Sequence, residues 1–345
     1  MDKKLLAAMA LVLAAACTND MPYTPKDAGD KLIMNALMNN EEHSHAVVLS
    51  LSRTGRAEDI SGKATVTFSV NGGPETEVWE GGPGGVLSSY WGTPRVFEFI
   101  ADFRPGDELT LTASALGMKA SSTVTLLSPP VVTSVDTMSV RDGSSDLLAF
   151  TVEMEDNTPG TDYYSLEIHS RYRADYYDGD TFLWSDEGES FCQPDFTGDL
   201  ILSEDGIVAG EMDELGLFDF GTVNTYGAFL DNQFDCGKAV LRPRVGKNRL
   251  HPYLWGVTVN GIAATRAVVY PEVTVQVSHI PVRHYYYLKA LNALEGGMSD
   301  LSLEEIAIPC NVNGGIGFVG LSNTVSKSFS LKSYETLFEE MVYTE

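Results

Sequence analysis

The sequence predicts a mainly β protein: an N-terminal immunoglobulin/fibronectin-like β-sandwich followed by a second β-rich domain with one packed helix. Three observations carry this expectation. Short segments alternate apolar and polar residues with the period of two that turns one face of a strand inward. Turn-forming Asn, Gly and Pro punctuate them at regular spacing. The period becomes helical late in the chain, over His284–Leu294, where Tyr287, Leu288, Leu291 and Leu294 recur at helical intervals before Gly296-Gly297.

The elements begin behind a leader. Lys3 and Lys4 precede a twelve-residue apolar run, Leu5–Ala16. As a helix it would be about 18 Å long, too short for a hydrocarbon core of about 30 Å. A positive start, a short apolar stretch and small residues ahead of a cut site read as an export signal. The run closes on Leu13-Ala14-Ala15-Ala16-Cys17, the pattern at which a bacterial lipoprotein signal is cleaved. Residues 1–16 are then the signal peptide and Cys17 the lipidated N-terminus. Its thiolate attacks a lipid donor, and cleavage frees its amine for a further acyl chain. Several chains, at about 0.8 kcal/mol per buried CH₂, anchor a protein stably. Residues 17–30 are polar and contain Pro22, Pro25 and Gly29, a flexible tether.

Residues 31–128 read as the sandwich. Ala64–Val70 alternates strictly, with Ala64, Val66, Phe68 and Val70 on one face, and Asn71-Gly72-Gly73 supplies a hairpin turn. Glu108–Ser114 alternates again after Arg104-Pro105-Gly106-Asp107, which fits a type II turn. Lys31–Leu37, Ala46–Ser52, Val96–Phe103 and Ser121–Leu127 are further strands. Pro129-Pro130 marks the domain boundary. In the second domain, 131–345, Leu147–Glu153, Tyr163–His169, Ala239–Val245 and Glu272–His279 read as strands, with Asp156 and Asn157 as turn formers between the first two. Phe182–Gly216 reads as long loops and Tyr334–Val342 as a short amphipathic helix.

Composition narrows the function. Removal of the signal leaves 329 of the 345 residues, enough for two domains. The formal charge of −25 opposes binding to nucleic acid or direct adsorption to anionic lipid, both of which require a basic face. The acids are spread along the chain, as on a solvated surface. Besides Cys17 there are three cysteines, Cys192, Cys236 and Cys310. An exported protein can form disulfides, and Cys192 with Cys236 is the candidate pair because both lie in polar, loop-like stretches. Cys310, after Ile308-Pro309, reads as a buried thiol.

No motif names a reaction. His43 and His45 would share a strand face but have no third ligand nearby. Asp175, Asp178, Asp180 and Asp186 stand among Tyr176, Tyr177 and Trp184. Calcium is one reading of these acids, but Phe182 occupies the fifth loop position counted from Asp178, so the EF-hand spacing fails. Tyr176, Tyr177 and Trp184 are candidate partner-binding residues. Gly314-Gly315-Ile316-Gly317 lacks the strand-to-helix context and the Lys-Ser or Lys-Thr of a phosphate loop; its glycines fit close backbone approach beside the strand Phe318–Leu321. No nucleophile elbow, zinc-protease or Cys/His pattern occurs. The expectation is a protein without catalytic residues, metal or cofactor.

Several stretches in order resemble a known family. They are Lys31–Leu37, Ile60–Val66, Phe103–Asp107, Tyr163–Leu166, Leu230-Asp231-Asn232-Gln233-Phe234-Asp235-Cys236-Gly237, Tyr285–Asn292 and Asn311–Gly320. Together with the leader they resemble the Bacteroidota lipoproteins of domain of unknown function 4249, over nearly the whole mature chain. This chain departs from them at Cys236, where the family more often has Asn, and in its extension after Lys327. The resemblance implies an outer-membrane lipoprotein, held by its lipid, of a family often encoded beside TonB-dependent receptors. It implies an accessory role in nutrient uptake and transfers no catalytic residue. Surface-exposed members of that lineage often carry an acidic run just after the lipidated cysteine, to which only Asp20 answers here, so either face of the membrane stays open. The alternative function is a surface adhesion or structural β-sandwich, which fold alone does not separate from the first.

Overall fold

The computed structural model describes residues 29–53, 56–58, 60–81, 94–143, 145–196, 199–204, 224–250, 254, 256–295 and 308–338. Cys17 and its tether up to residue 28 lie outside them. The fold is mainly β. Nine strands come from the first third of the chain: β1 (Lys31–Asn39), β2 (Ser44–Arg53), β3 (Arg56–Glu58), β4 (Ala64–Val70), β5 (Thr76–Glu77), β6 (Trp79–Glu80), β7 (Arg95–Ile100), β8 (Glu108–Ala115) and β9 (Met118–Thr125). The remainder supplies β10 (Val131–Asp142), β11 (Ser145–Glu155), β12 (Tyr163–Asp178), β13 (Thr181–Phe191), helix α1 (Leu200–Glu204), β14 (Ala228–Leu230), β15 (Lys238–Leu241), β16 (Arg244–Gly246), β17 (Thr258–Val259), β18 (Ile262–Ala263), β19 (Arg266–His279), helix α2 (Val282–Glu295), β20 (Val319–Ser330) and β21 (Tyr334–Leu337).

One eleven-stranded sheet runs in the order β13-β12-β19-β20-β1-β2-β7-β6, with β3, β14 and β21 paired beside that path. Two four-stranded sheets pack with it. The first, β5-β4-β8-β9, shares a core with β1, β2 and β7, built on Leu32, Met34, Leu49, Phe97, Phe99, Leu109 and Leu111. The second, β10-β11-β15 with β16, closes a core with β12 and β19 through Phe150, Val152, Leu166, Ile168, Val273, Val275 and Val277. The first core also takes Val312, Val319 and Leu321 from the far end of the chain. They arrive because β20 lies parallel to β1, Ala36 opposite Val319 and Asn39 opposite Ser322.

Turn chemistry behaves as the residues dictate. Asn71 and Gly72 both take positive φ, and the Gly73 amide donates to the Val70 carbonyl at 2.9 Å, the geometry of a type I′ hairpin. Asp107 N–H donates to Arg104 O at 2.9 Å with Gly106 at φ +91°, a type II turn.

The Gly-rich segment follows the close-approach reading. Ile316 exchanges backbone hydrogen bonds with Leu32 and Met34 at 2.9 Å each. A Cβ at Gly317, whose φ is +116°, would lie 2.3 Å from the Met34 carbonyl oxygen. Asn311 supports this path by donating to and accepting from the Val319 backbone at 2.7 and 2.8 Å.

Two local expectations change. Residues from Thr181 form the long strand β13 rather than loop; its Ser-Asp-Glu-Gly-Glu-Ser run hides the period of two because, among the described residues, β13 ends the sheet with only β12 beside it. Tyr334–Leu337 is strand rather than helix, since Ala267 and Val268 of β19 offer it a pairing edge; residues 339–342 lie outside the described ones. Helix α2 forms as expected, but its deepest line is His284, Leu288 and Asn292 rather than the predicted Leu291 and Leu294. Asn292 accepts from Tyr226 N–H at 3.1 Å and donates to Asn224 at 2.9 Å, so a polar pair seats the helix.

Candidate functional site

Two short loops meet at one end of the second sandwich. The first, Asp156–Asp162, joins β11 to β12, and Pro159-Gly160 turns it, with Gly160 at φ +128°. The second, Asp231–Gly237, follows β14 and leads into β15. Each loop clasps the other through its backbone. Asp162 N–H donates to Asp231 Oδ2 at 3.0 Å, and Asp231 N–H returns to the Asp162 carbonyl at 3.2 Å. Asp156 N–H donates to the Gly237 carbonyl at 2.9 Å, and Cys236 N–H donates to Asp156 Oδ2 at 2.8 Å. Cys236 takes φ +52° to make that contact.

The clasp gathers acids in a buried place. Asp156 is 4% exposed and Asp231 1% exposed. One oxygen each of Asp156, Asp162 and Asp231 lie within 4.8 Å of one another, and Asp156, Asp235 and Cys236 form a second such group. The carboxylates differ in how they are satisfied. Burial pushes Asp156 up, but the amides of Cys236 and Thr158, the Thr158 hydroxyl and the charge of His279 outweigh it and hold the carboxyl below its ordinary value. Asp231 goes the other way. Burial raises it, the Asp162 amide offsets part of this, and the charges of Asp156, Asp162 and Asp235 raise it further. Its Oδ1 is buried with no hydrogen-bond partner.

His279, at the end of β19, borders the group. Its Nδ1 donates to the Ser128 carbonyl at 2.8 Å, and its Nε2 stands 3.5 Å from Asp162 Oδ1. Ser128 lies in the link between β9 and β10, so the loop pair is tied to the passage between the two sandwiches. Tyr164 stacks on His279 with ring centroids 5.2 Å apart. Burial first, and then the neighbouring aspartates, push its phenol well above the ordinary range. Oxygen donors at this spacing are able to surround a cation.

The residues singled out from sequence lie elsewhere. Tyr176 is 2% exposed and packs between Trp184 and Phe338, at centroid distances of 5.6 and 5.8 Å. It belongs to the interior and cannot meet a partner: its position on β12 faces inward between β19 and β13. Tyr177 is half-buried beneath the Arg266 guanidinium, 4.3 Å from its ring centroid. Trp184 is exposed on β13 on the Tyr176 face, while Phe182, across a bulge in the pairing, is exposed on the Tyr177 face. Asp175, Asp178, Asp180 and Asp186 do not converge; Asp175 is buried and accepts from Ser185 Oγ at 2.6 Å, while Asp178 and Asp180 flank the hairpin tip.

The Cys192–Cys236 bridge does not form. Cys192 is buried in the second core with Sγ 3.7 Å from the Arg249 carbonyl, whereas Cys236 is exposed on the loop pair. Cys310 is exposed rather than buried, since its segment runs along the outside before entering the β1 contact. His43 is exposed beside Asp102, but His45 is 2% exposed against Phe99 and Phe103, so the two do not share a surface.

Sequence reading passed over the loop pair. Asp156 registered only as a turn former, and Asp231 and Asp235 only as letters of a motif. The available signal was two turn-like segments, Asp-Asn-Thr-Pro-Gly-Thr-Asp and Asp-Asn-Gln-Phe-Asp-Cys-Gly, each bounded by acids. Nothing local indicates that they meet.

Residues 18–328 match a family described as domain of unknown function (DUF4249). None of the curated proteins matches the chain. Among solved structures it is similar to a DUF4785 family protein from Legionella pneumophila, with 9% identity and a TM-score of 0.21, over 72% of this chain and 52% of that one. The chain thus spans about half the length of that structure, and so slight a likeness carries no argument.

Proposed function

The chain belongs to the DUF4249 family, and from that premise we propose that it is a lipid-anchored, non-enzymatic accessory or binding component of the outer membrane, associated with a TonB-dependent nutrient uptake system. The observation that carries this reading is the apolar run closing on Cys17, with a polar tether of 17–30 ahead of the first strand. Lipid holds the body at the membrane and the tether lets it reach a neighbour. The charge of −25 keeps the body itself off anionic lipid. No helix among the described residues is long and apolar enough to cross a membrane.

A partner-binding role is supported at the edge of the large sheet. Trp184 stands exposed on one face of β13 and Phe182 on the other, across the bulge at Tyr176 and Tyr177, and among the described residues β13 pairs on one side only. Exposed aromatics beside an unpaired strand edge offer both apolar area and backbone hydrogen bonds to a partner. Of the three aromatics proposed from sequence, Trp184 is the exposed one.

The test is co-purification. The tagged full-length protein is isolated from native outer membranes in mild detergent, and its companions are identified. Recovery of a TonB-dependent receptor is expected, lost when Cys17→Ser removes the protein from the membrane fraction. Recovery of no receptor overturns the association. A deletion strain that loses surface attachment while nutrient uptake is unchanged favours the adhesion alternative instead.

A further inference from the structure

We propose that the paired loops Asp156–Asp162 and Asp231–Gly237 hold a hard divalent cation of the calcium class, bound by the carboxylates of Asp156, Asp162 and Asp231. The reading is independent of the proposed association with a receptor.

The argument starts from charge. Three carboxylates present oxygens within 4.8 Å of one another, and two of them are almost wholly buried. Ions removed from water require a counter-charge, or else they neutralise. The counter-charge among the described residues is slight: His279 pairs with Asp162 at 3.5 Å and acts on Asp156 only through its charge. Asp231, whose carboxylate belongs to the group, has its Oδ1 buried without a donor among the described residues, which is unusual for a carboxylate in a folded protein. Thr158 shows the same deficit of positive charge. Its hydroxyl lies 3.1 Å from Asp156 Oδ1 and 2.6 Å from Asp162 Oδ2, yet it has a single proton to give. A cation between the carboxylates would complete both.

The donor set selects the kind of cation. Calcium takes oxygen ligands at about 2.3–2.6 Å, so oxygens on opposite sides of it are separated by up to about 5 Å. The three oxygens lie within 4.8 Å of one another, inside that span. The three ligands offer oxygen alone, which suits a hard cation rather than a soft one; the Cys236 thiol belongs to the neighbouring group with Asp156 and Asp235.

The consequence is mechanical. Asp156 follows β11, Asp162 opens β12 and Asp231 follows β14, so one ion would join three strands of two sheets. Through His279 and Ser128 the same point touches the link between the sandwiches. The ion would therefore stiffen the route from the tethered N-terminal unit to the second one.

The experiment uses the full-length protein in detergent, stripped with chelator and kept in about 0.15 M NaCl so that general screening of its acidic surface is constant. Calorimetric titration with CaCl₂ is expected to show one site per chain. Addition of about 1 mM CaCl₂ is expected to raise Tm by about 5 °C. In Asp231→Asn the shift is lost and calcium binding weakens at least about tenfold, while the metal-free Tm equals or exceeds that of the parent, because a buried negative charge crowded by Asp156 and Asp162 has gone. Asp162→Asn, at a less buried position, serves as the second variant should Asp231→Asn not fold. Asp175→Asn, outside the group, is expected to keep the full response. No calcium-dependent heat or Tm shift in the parent overturns the proposal, as does a response unchanged in both loop variants. A response to Mg²⁺ or Zn²⁺ with none to Ca²⁺ overturns the assignment of the ion.

Discussion

In the N-terminal sandwich the buried side chains are mostly apolar, Leu49, Phe97, Phe99, Leu109 and Leu111 among them, with His45 and Ser122 as buried polar exceptions. At the junction of the second sandwich, Asp156, Asp231, His279 and Asn292 are buried to nearly the same degree. The first region rests mainly on area removed from water, about 25 cal/mol per Å². The second must find a donor or acceptor for each buried group, and it finds them mostly in backbone amides of other segments. Apolar cores tolerate imprecision in partner choice, because any neighbour of the right size serves. The polar junction tolerates little, since a missing partner leaves a desolvated group exposed to its full penalty. The two regions should therefore fail in different ways.

The largest effect is expected on the apolar side. Phe99, stacked on Phe68 at 4.5 Å between centroids, fills the first core. Phe99→Ala is expected to lower unfolding stability by about 3–5 kcal/mol. Denaturant melts at pH 7 should show this loss. A much smaller loss would mean that the core closes over the missing ring, and would break the contrast.

The next effect lies at the junction side. His284 of α2 is buried beside Phe318 and Gly320, and its Nδ1 has no partner. Burial lowers its pKa from 6.5 to about 4. Between these values the unfolded chain binds the proton and the folded chain does not. Stability is thus complete above pH 6.5 and is lost as pH falls from 6.5 towards 4, by about 3 kcal/mol. His284→Leu is expected to flatten this part of a stability–pH curve measured by urea melts. An unchanged acid slope would show that the sensitivity comes from elsewhere.

The smallest effect sharpens the comparison within the polar class. Asp199 caps α1, its Oδ1 accepting from Ile201 and Leu202 amides at 3.0 and 2.9 Å, and its Oδ2 also accepts from the Arg242 amide. Asp199→Ala is expected to lose about 1–2 kcal/mol, and Asp199→Asn much less, in the same melts. Equal losses from both would mean that charge rather than donor satisfaction matters there.

What was legible in the chain follows the same division. Ala64–Val70 could be read to the residue because its alternation and the Asn71-Gly72 turn are both local. Strand β10, Val131–Asp142, was not legible: it is mostly exposed, so it lacks an inward apolar stripe. The candidate site was the least legible. Its aspartates lie in loops separated by about seventy residues, and His279 arrives from a third element.

By itself the sequence determined the mainly β class, the turns and the late helix, because each rests on residues within a few positions of one another. The same holds for the apolar leader ending at Cys17 and for the acidic charge. Only the tertiary structure decided that β20 lies beside β1, that Tyr176 is interior, and that Asp156, Asp162 and Asp231 share one buried place. These depend on which distant segments become neighbours. A strand's own period specifies which face it buries but not what covers that face, and a buried acid is defined by the groups that fold around it.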